Sequence, residues 1–237
     1  MLVSVIIPTL NEEQVLPRTL VHTAALDFDE LIVVDGGSND RTCEVVEHCS
    51  SSTTLHASRF TPPRLLTAPA GRATQMNVGA AASAGNILLF LHADTWLPPD
   101  AKTAIQAAMS DPACVGGRFD LRFERDAGPA WLISRLINLR SRWTGIATGD
   151  QAIFVRRQVF EQVGGFSAIP IMEDVDFTRR LKGAGRIACL RSKVITSYRR
   201  WDACGPIRTI LLMWFLRFLY WIGVSPRQLS QLYSHVR

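Results

Sequence analysis

The stretch LIVVDGGSNDRT, residues 31–42, decides how this chain folds. Leu31-Ile32-Val33-Val34 is unbroken apolar sequence, and Asp35-Gly36-Gly37 stops it with turn residues. A run without polar alternates reads as a strand buried on both faces of a parallel sheet. Asp40 then stands as the N-cap of a helix over 40–49. The same grammar recurs on either side: the run over 2–7 ends at Pro8, and the run over 87–91 ends at His92-Ala93-Asp94. Helical stretches fill the gaps, over 12–25 with Val15, Leu16, Leu20 and Val21 at helical spacing, and over the Ala-rich 74–84. This βαβαβ alternation predicts an α/β fold with ligands at the carboxyl ends of the strands.

Polar residues gather at those ends: Thr9, Asn11 and Glu12; Asp35, Ser38 and Asp40; His92 and Asp94. Each alone is more often a cap or turn residue than a ligand. Three chain-distant groups meeting on one rim favour a functional reading.

After Asp94 the pattern changes. Asp100 is expected to cap a helix over 100–109, Gly116–Phe123 alternates as a strand, and Ala130–Arg142 reads as a helix. Thr148–Val155 reads as a strand, Met172–Leu181 as a helix and Lys193–Tyr198 as a short strand. The 237 residues are 47% hydrophobic and 20% charged, which excludes disorder, collagen-like repeats and a disulfide scaffold. The five cysteines form no CxxC and do not cluster with His, so a reducing compartment is expected. No signal peptide is read at the N-terminus. The net charge of +5 hides a division: residues 1–117 carry 6 Lys+Arg against 12 Asp+Glu, and residues 118–237 carry 20 against 9. Arg outnumbers Lys 23 to 3. Arg is the better planar partner for carboxylate and phosphate, so the second half is a candidate anion-facing or membrane-facing surface, or else simply a solvated one.

Four motifs carry chemistry. Asp94, at the end of a buried strand, could hold Mg²⁺ or Mn²⁺ that completes its shell with water and phosphate oxygens, or could merely start a turn. Glu173-Asp174, followed by Asp176, suits a helix start on dipole grounds alone, and also suits a general base for an acceptor hydroxyl. Gly71 and Arg72 lead a helix that reaches Asn77, resembling a phosphate-cradling turn without the GxGxxG of a dinucleotide site. Tyr198-Arg199-Arg200-Trp201 offers two cations beside two aromatics, for a diphosphate or as a basic turn. The apolar run over 207–224 is interrupted by Arg217. It reads first as a membrane-surface or re-entrant helix, next as a core or dimer-interface helix, and last as a span.

Together these residues resemble family 2 glycosyltransferases of GT-A fold. Ser4-Val5-Ile6-Ile7-Pro8-Thr9-Leu10-Asn11-Glu12 is similar to the family's first strand and turn, and residues 31–42 to its second. Asn77, Gly79, Ala82 and Gly85 follow its pattern into the third strand. The resemblance covers residues 2–201 and looks most like a small bacterial branch often encoded near radical-SAM proteins. It implies a Rossmann-like, mostly parallel mixed sheet flanked by helices, in a single domain with a C-terminal apolar helix. The expected division is 1–204 for the domain, its donor half 1–117 and acceptor half 118–204, and 205–237 for the helix.

By that resemblance a nucleotide-diphosphate sugar is held by Pro8, Thr9, Asn11, Glu12, Asp35, Gly37, Arg72, Asn77, His92, Ala93 and Asp94, with Asp35 reading the base. Asp94 takes the second acidic position of the metal motif and implies a divalent cation, Mg²⁺ or Mn²⁺. Asp174, beside Glu173, takes the place of the catalytic base. Gly149, Asp150, Arg199, Arg200 and Trp201 line the acceptor or phosphate side. Two positions depart from the family: His92 stands where the metal motif has its first Asp, and Gly36 where the acidic turn has its second. The implied reaction is inverting, metal-assisted transfer to a hydroxyl of a small-molecule or lipid acceptor, with no nucleic acid involved. The implied location is cytoplasmic, with contact at the inner face of the cell membrane. The alternative is a non-catalytic, membrane-associated nucleotide-sugar-binding protein.

Overall fold

The computed structural model describes residues 1–51 and 61–234, apart from the side chains of residues 200, 203, 204 and 234. Strand β1 (Val3–Thr9) leads to α1 (Leu16–Ala24), β2 (Glu30–Asp35), α2 (Thr42–Ser51) and β3 (Pro63–Thr67). Then follow α3 (Arg72–Ala82), β4 (Ile87–Phe90), β5 (Thr95–Trp96), α4 (Ala101–Met109) and β6 (Cys114–Phe123). A long α5 (Pro129–Thr144) precedes a single 3-10 turn (Gly149–Gln151), β7 (Ile153–Arg156) and α6 (Arg157–Gln162). The chain closes with α7 (Glu173–Ala184), β8 (Arg186–Thr196), α8 (Arg199–Cys204), α9 (Pro206–Trp221) and α10 (Pro226–Ser234).

All eight strands form one sheet in the order β3-β2-β1-β4-β7-β6-β8-β5. The first four are parallel, β7 runs antiparallel between β4 and β6, and β6 and β8 are again parallel. Side chains alternate across a pleated strand. The continuous apolar runs therefore feed two cores at once. Val3, Val5, Ile7, Leu31, Val33, Ile87 and Leu89 face α1 and α4, while Ile6, Ile32, Val34, Leu88 and Phe90 face α3 and α7. Gly79 lets α3 lie close on β1, because a Cβ there would meet Ile6 Cγ2 at 2.5 Å.

Several local expectations are corrected. The edge strand β3 and the two-residue β5 were not anticipated. Thr148–Val155 is not one strand. Thr148 and Gln151 form a capping box that winds residues 149–151 into the 3-10 turn, and Ala152 takes a left-handed φ of 48° before β7 begins. The strand expected at 116–123 is present, begins at Cys114, and is buried on both faces with only Arg122 partly open. The strand expected at 193–198 begins at Arg186 and ends at Thr196, and residues 199–201 start a helix instead. Asp100 does sit at the N-cap of α4, but its carboxylate accepts from Ser192 Oγ at 2.6 Å rather than capping. Asp40 precedes the first helical residue by two and accepts from the Thr42 N–H at 3.0 Å. The C-terminal apolar segment is two helices, α9 and α10, which pack through Leu216 and Leu229 on Ile171 and Met172. Among the described residues, no helix is long and apolar enough to cross a membrane.

Candidate active site

The carboxyl ends of β1 and β2 are laced into one unit. The Asn11 N–H donates to Ser38 Oγ at 2.8 Å, and the Asn39 N–H returns a bond to Asn11 Oδ1 at 2.9 Å. The Glu12 N–H donates to Thr42 Oγ1 at 2.8 Å. Pro8 and Thr9 are buried at the end of β1. Asp35 is 2% exposed and turned into its own loop: Oδ2 accepts the Gly37 and Ser38 N–H groups at 2.8 and 2.9 Å, and Oδ1 accepts the Ser38 hydroxyl at 2.5 Å. Burial would raise its pKa, but the bonds from Ser38 and Gly37 outweigh burial and hold the carboxyl below the usual range. Gln75, which the sequence reading passed over, ties both strand ends together by donating to the Thr9 and Val34 carbonyls at 2.7 and 2.8 Å.

Asn77 is not brought to this rim. Its amide clasps the backbone of Phe166, donating to the carbonyl at 2.8 Å and accepting the N–H at 2.9 Å. Phe166 stacks near Phe177 with ring centroids 4.3 Å apart, so this clasp braces the segment that delivers Glu173 and Asp174.

A second group forms where β5 pairs with β8. Thr95 lies opposite Thr196, which sets Asp94 beside the start of α8. There Nη2 of Arg199 stands 3.5 Å from Asp94 Oδ2 and 3.6 Å from Glu12 Oε2. Burial, then repulsion from Asp94, raises the Glu12 pKa against the pull of Arg199. Two carboxylates thus surround one cation position. Hard oxygen ligands suit Mg²⁺ or Mn²⁺ that draws its other ligands from water and phosphate. Among the described residues, no three of His, Cys, Asp and Glu are grouped to hold a metal by themselves. His92, at the end of β4, points its Nε2 at Gly149, where a Cβ would stand only 2.3 Å away. Burial, and then Arg72, lower the imidazole pKa, while Asp94, Asp150 and Asp174 act in the opposite sense. His92 therefore sits electrically between the donor rim and the third group, with buried Ala93 between it and Asp94.

That third group is the N-terminus of α7. Asp174 Oδ2 accepts the Gly149 N–H at 2.9 Å and Oδ1 accepts the Val175 N–H at 2.7 Å. Glu173 is 3% exposed, with Oε1 2.8 Å from Nε of Arg72 on α3 and Oε2 buried without a partner. Burial raises the Glu173 pKa, and Asp174 adds to the rise despite Arg72. Asp176 turns away to pair with Arg180 at 2.8 Å. Asp150 Oδ1 is also buried and unpartnered. Burial, and then the Arg217 guanidinium, push the pKa of Arg140 on α5 down to about 10, with Asp150 and Asp174 acting in the opposite sense.

Trp201 is half-buried, stacked on Tyr198 at 6.1 Å and edge-on to Phe123 at 5.8 Å. It anchors α8 and walls a groove of about 280 Å³. The side chain of Arg200 lies outside the described residues.

Known proteins share this fold. The family described as Glycosyl transferase family 2 matches residues 4–169. The probable glycosyltransferase YdaM of Bacillus subtilis is 28% identical over 200 residues, 77% of this chain and 47% of that protein. An undecaprenyl-phosphate 4-deoxy-4-formamido-L-arabinose transferase of Pseudomonas aeruginosa is 29% identical over 161 residues, 65% of this chain and 46% of that protein. This chain spans about half the length of the curated relatives it matches. Among solved structures, the mannosyltransferase PcManGT from Pyrobaculum calidifontis, in complex with GDP-Man and Mn²⁺, superposes with a TM-score of 0.66 at 20% identity, over 87% of this chain and 62% of that one. S. aureus TarS in complex with UDP-GlcNAc superposes with a TM-score of 0.64 at 19% identity, over 83% and 58%. The mixed sheet flanked by helices is the GT-A architecture, in a single domain.

Proposed function

This chain belongs to glycosyl transferase family 2, and on that premise we propose that it is an inverting glycosyltransferase moving a sugar from a nucleotide-diphosphate sugar to an acceptor hydroxyl. The donor lies across the ends of β1, β2 and β4. Asp174 takes the proton of the acceptor hydroxyl, whose oxygen attacks the anomeric carbon. The bond from that carbon to the nucleoside diphosphate breaks, and the electron pair leaves with the diphosphate. Asp94 and Glu12 would hold a divalent cation, which when bound neutralises charge on the departing diphosphate. Arg72 flanks the same path and adds fixed positive charge where negative charge develops.

The observation that carries this reading is the presentation of Asp174. Backbone N–H groups of Gly149 and Val175 fix both its oxygens at a helix start that faces His92 at the strand ends. Its replacement, Asp174→Asn, should cut transfer by roughly 10²–10⁴-fold while leaving donor binding by calorimetry unchanged. Transfer at a near-normal rate in that variant refutes the assignment.

The reading extends to peripheral contact with the inner face of the cell membrane and a lipid or small-molecule acceptor. Trp214 is 68% and Trp221 81% exposed on α9, with Phe215 and Phe218 between them. Such aromatic faces suit the headgroup region. Replacing both tryptophans by Ser should release the protein from lipid vesicles, and unchanged flotation would remove the membrane contact.

A further inference from the structure

Helix α7, which carries Asp174, opens on an unusual residue. Met172 stands at its N-cap with a left-handed φ of 69°, and its side chain makes no capping bond. Ser, Thr, Asp and Asn are the usual N-caps, and a left-handed backbone is costly for a side chain of this size. Such a conformation persists only where its surroundings enforce it. Met172 also sets the direction of the first turn. Its carbonyl accepts the Asp176 N–H at 2.9 Å, and Glu173 and Asp174 follow it directly.

Two kinds of contact hold the segment ahead of α7. Its first half is tied by hydrogen bonds: Asn77 clasps Phe166, Ser167 Oγ donates to Asp176 Oδ2 at 2.7 Å, and Arg180 donates to the Gly165 carbonyl at 2.8 Å. Ile171 and Met172 are held by packing instead. Both are buried, in a small core with the fully buried Leu216 of α9 and Leu229 of α10, and Val175 of α7 packs against the same core. It is separate from the two cores that flank the sheet. The left-handed turn that aims Asp174 therefore leans on α9 and α10. Space opened at either leucine would let Met172 relax, and the first turn of α7 would rotate Asp174 off the Gly149 N–H.

We propose that α9 and α10 are a positioning element for the base: Leu216 and Leu229, acting through Met172, hold Asp174 on the Gly149 N–H and in place for the acceptor proton. This rests on the reading of Asp174 as the base. Neither leucine is catalytic, since each acts through the backbone of Met172.

Amide exchange of the full chain, followed by NMR, tests the positioning without a substrate. L216A and L229A should each speed exchange about tenfold at Gly149 and Asp176, whose N–H groups bond the Asp174 carboxylate and the Met172 carbonyl. Gly36, whose N–H bonds the Thr9 carbonyl at 2.9 Å, should keep its protection. L229M conserves volume and should restore the parent rates, and the milder L229V carries the test should L229A not fold. Glycine adopts a left-handed turn without enforcement. M172G in the L229A background should therefore recover protection at Gly149, although its unfolding midpoint stays at or below that of L229A. Hydrolysis of UDP-glucose or GDP-mannose with Mn²⁺ should follow the exchange: kcat falls about tenfold in L229A, donor KM is unchanged, and M172G restores part of the loss. Parent-like exchange at Gly149 and Asp176 in both alanine variants overturns the proposal. So does a uniform rise that includes Gly36, or a double variant less protected at Gly149 than L229A, because either makes the leucines structural only. Near-normal hydrolysis in D174N refutes the base assignment alone, since the exchange rates of the leucine variants do not depend on the chemistry.

Discussion

The backbone N–H of Gly149 donates to Oδ2 of Asp174 at 2.9 Å, and the same glycine gives His92 its room. One residue thereby sets the spacing between the end of β4 and the start of α7. A methyl group at 149 would stand 2.3 Å from His92 Nε2 and 2.8 Å from its Cε1. Gly149→Ala should therefore lower the unfolding midpoint and reduce transfer at least tenfold, about 1.4 kcal/mol in the barrier. Adding His92→Ala should recover the midpoint, because the pair shares one clash. Purely additive losses in the double variant would contradict the shared contact.

Arg199 occupies the position between Glu12 and Asp94. Without it, two carboxylates face one another with no cation between them. Arg199→Gln should tighten Mn²⁺ binding to the donor-free protein several-fold, read by titration of the bound ion. Unchanged or weaker Mn²⁺ binding would show that these two carboxylates do not share a cation position.

Asn77 braces rather than binds. Asn77→Ala removes both bonds to Phe166 and leaves a buried backbone N–H and carbonyl exposed to loss, at a cost of about 1–3 kcal/mol in thermal unfolding. Donor affinity should be preserved. A variant of full stability with weakened donor binding would return Asn77 to the nucleotide site that the sequence implied for it.

Asp35 holds its turn together, and the sign of its pH dependence follows from a depressed pKa. Its contribution is complete above the ordinary value of 3.8 and is lost as pH falls through the lower folded value. Asp35→Asn should cost about 1–3 kcal/mol near neutral pH, with the gap to the parent closing only below about 3.8. A gap that widens in acid would contradict the turn bonds to Gly37 and Ser38.

The strand ends were legible because each parallel strand is an unbroken apolar run stopped by polar turn residues, as at Val34-Asp35 and Leu91-His92. The pair Glu173-Asp174 was legible from three carboxylates at a helix start. Strand β3 escaped because it lies at the sheet edge, opens with Pro63 and leaves Arg64 exposed, so it lacks a buried strand's signature. The 3-10 turn at 149–151 escaped because a capping box between Thr148 and Gln151 looks like strand alternation in one dimension. Gln75 carries no local signal at all. Its role arises only when α3 lies across β1.

Displacement at the anomeric carbon with Asp174 as the base fixes the stereochemistry of the product. Proton NMR of a nucleotide-sugar donor turning over with water or acceptor, in the presence of Mn²⁺, reads the configuration of the first sugar product directly. The product should have the configuration opposite to that of the donor, and turnover should collapse in Asp174→Asn while the donor still binds. Retained configuration, or undiminished turnover in that variant, would contradict it.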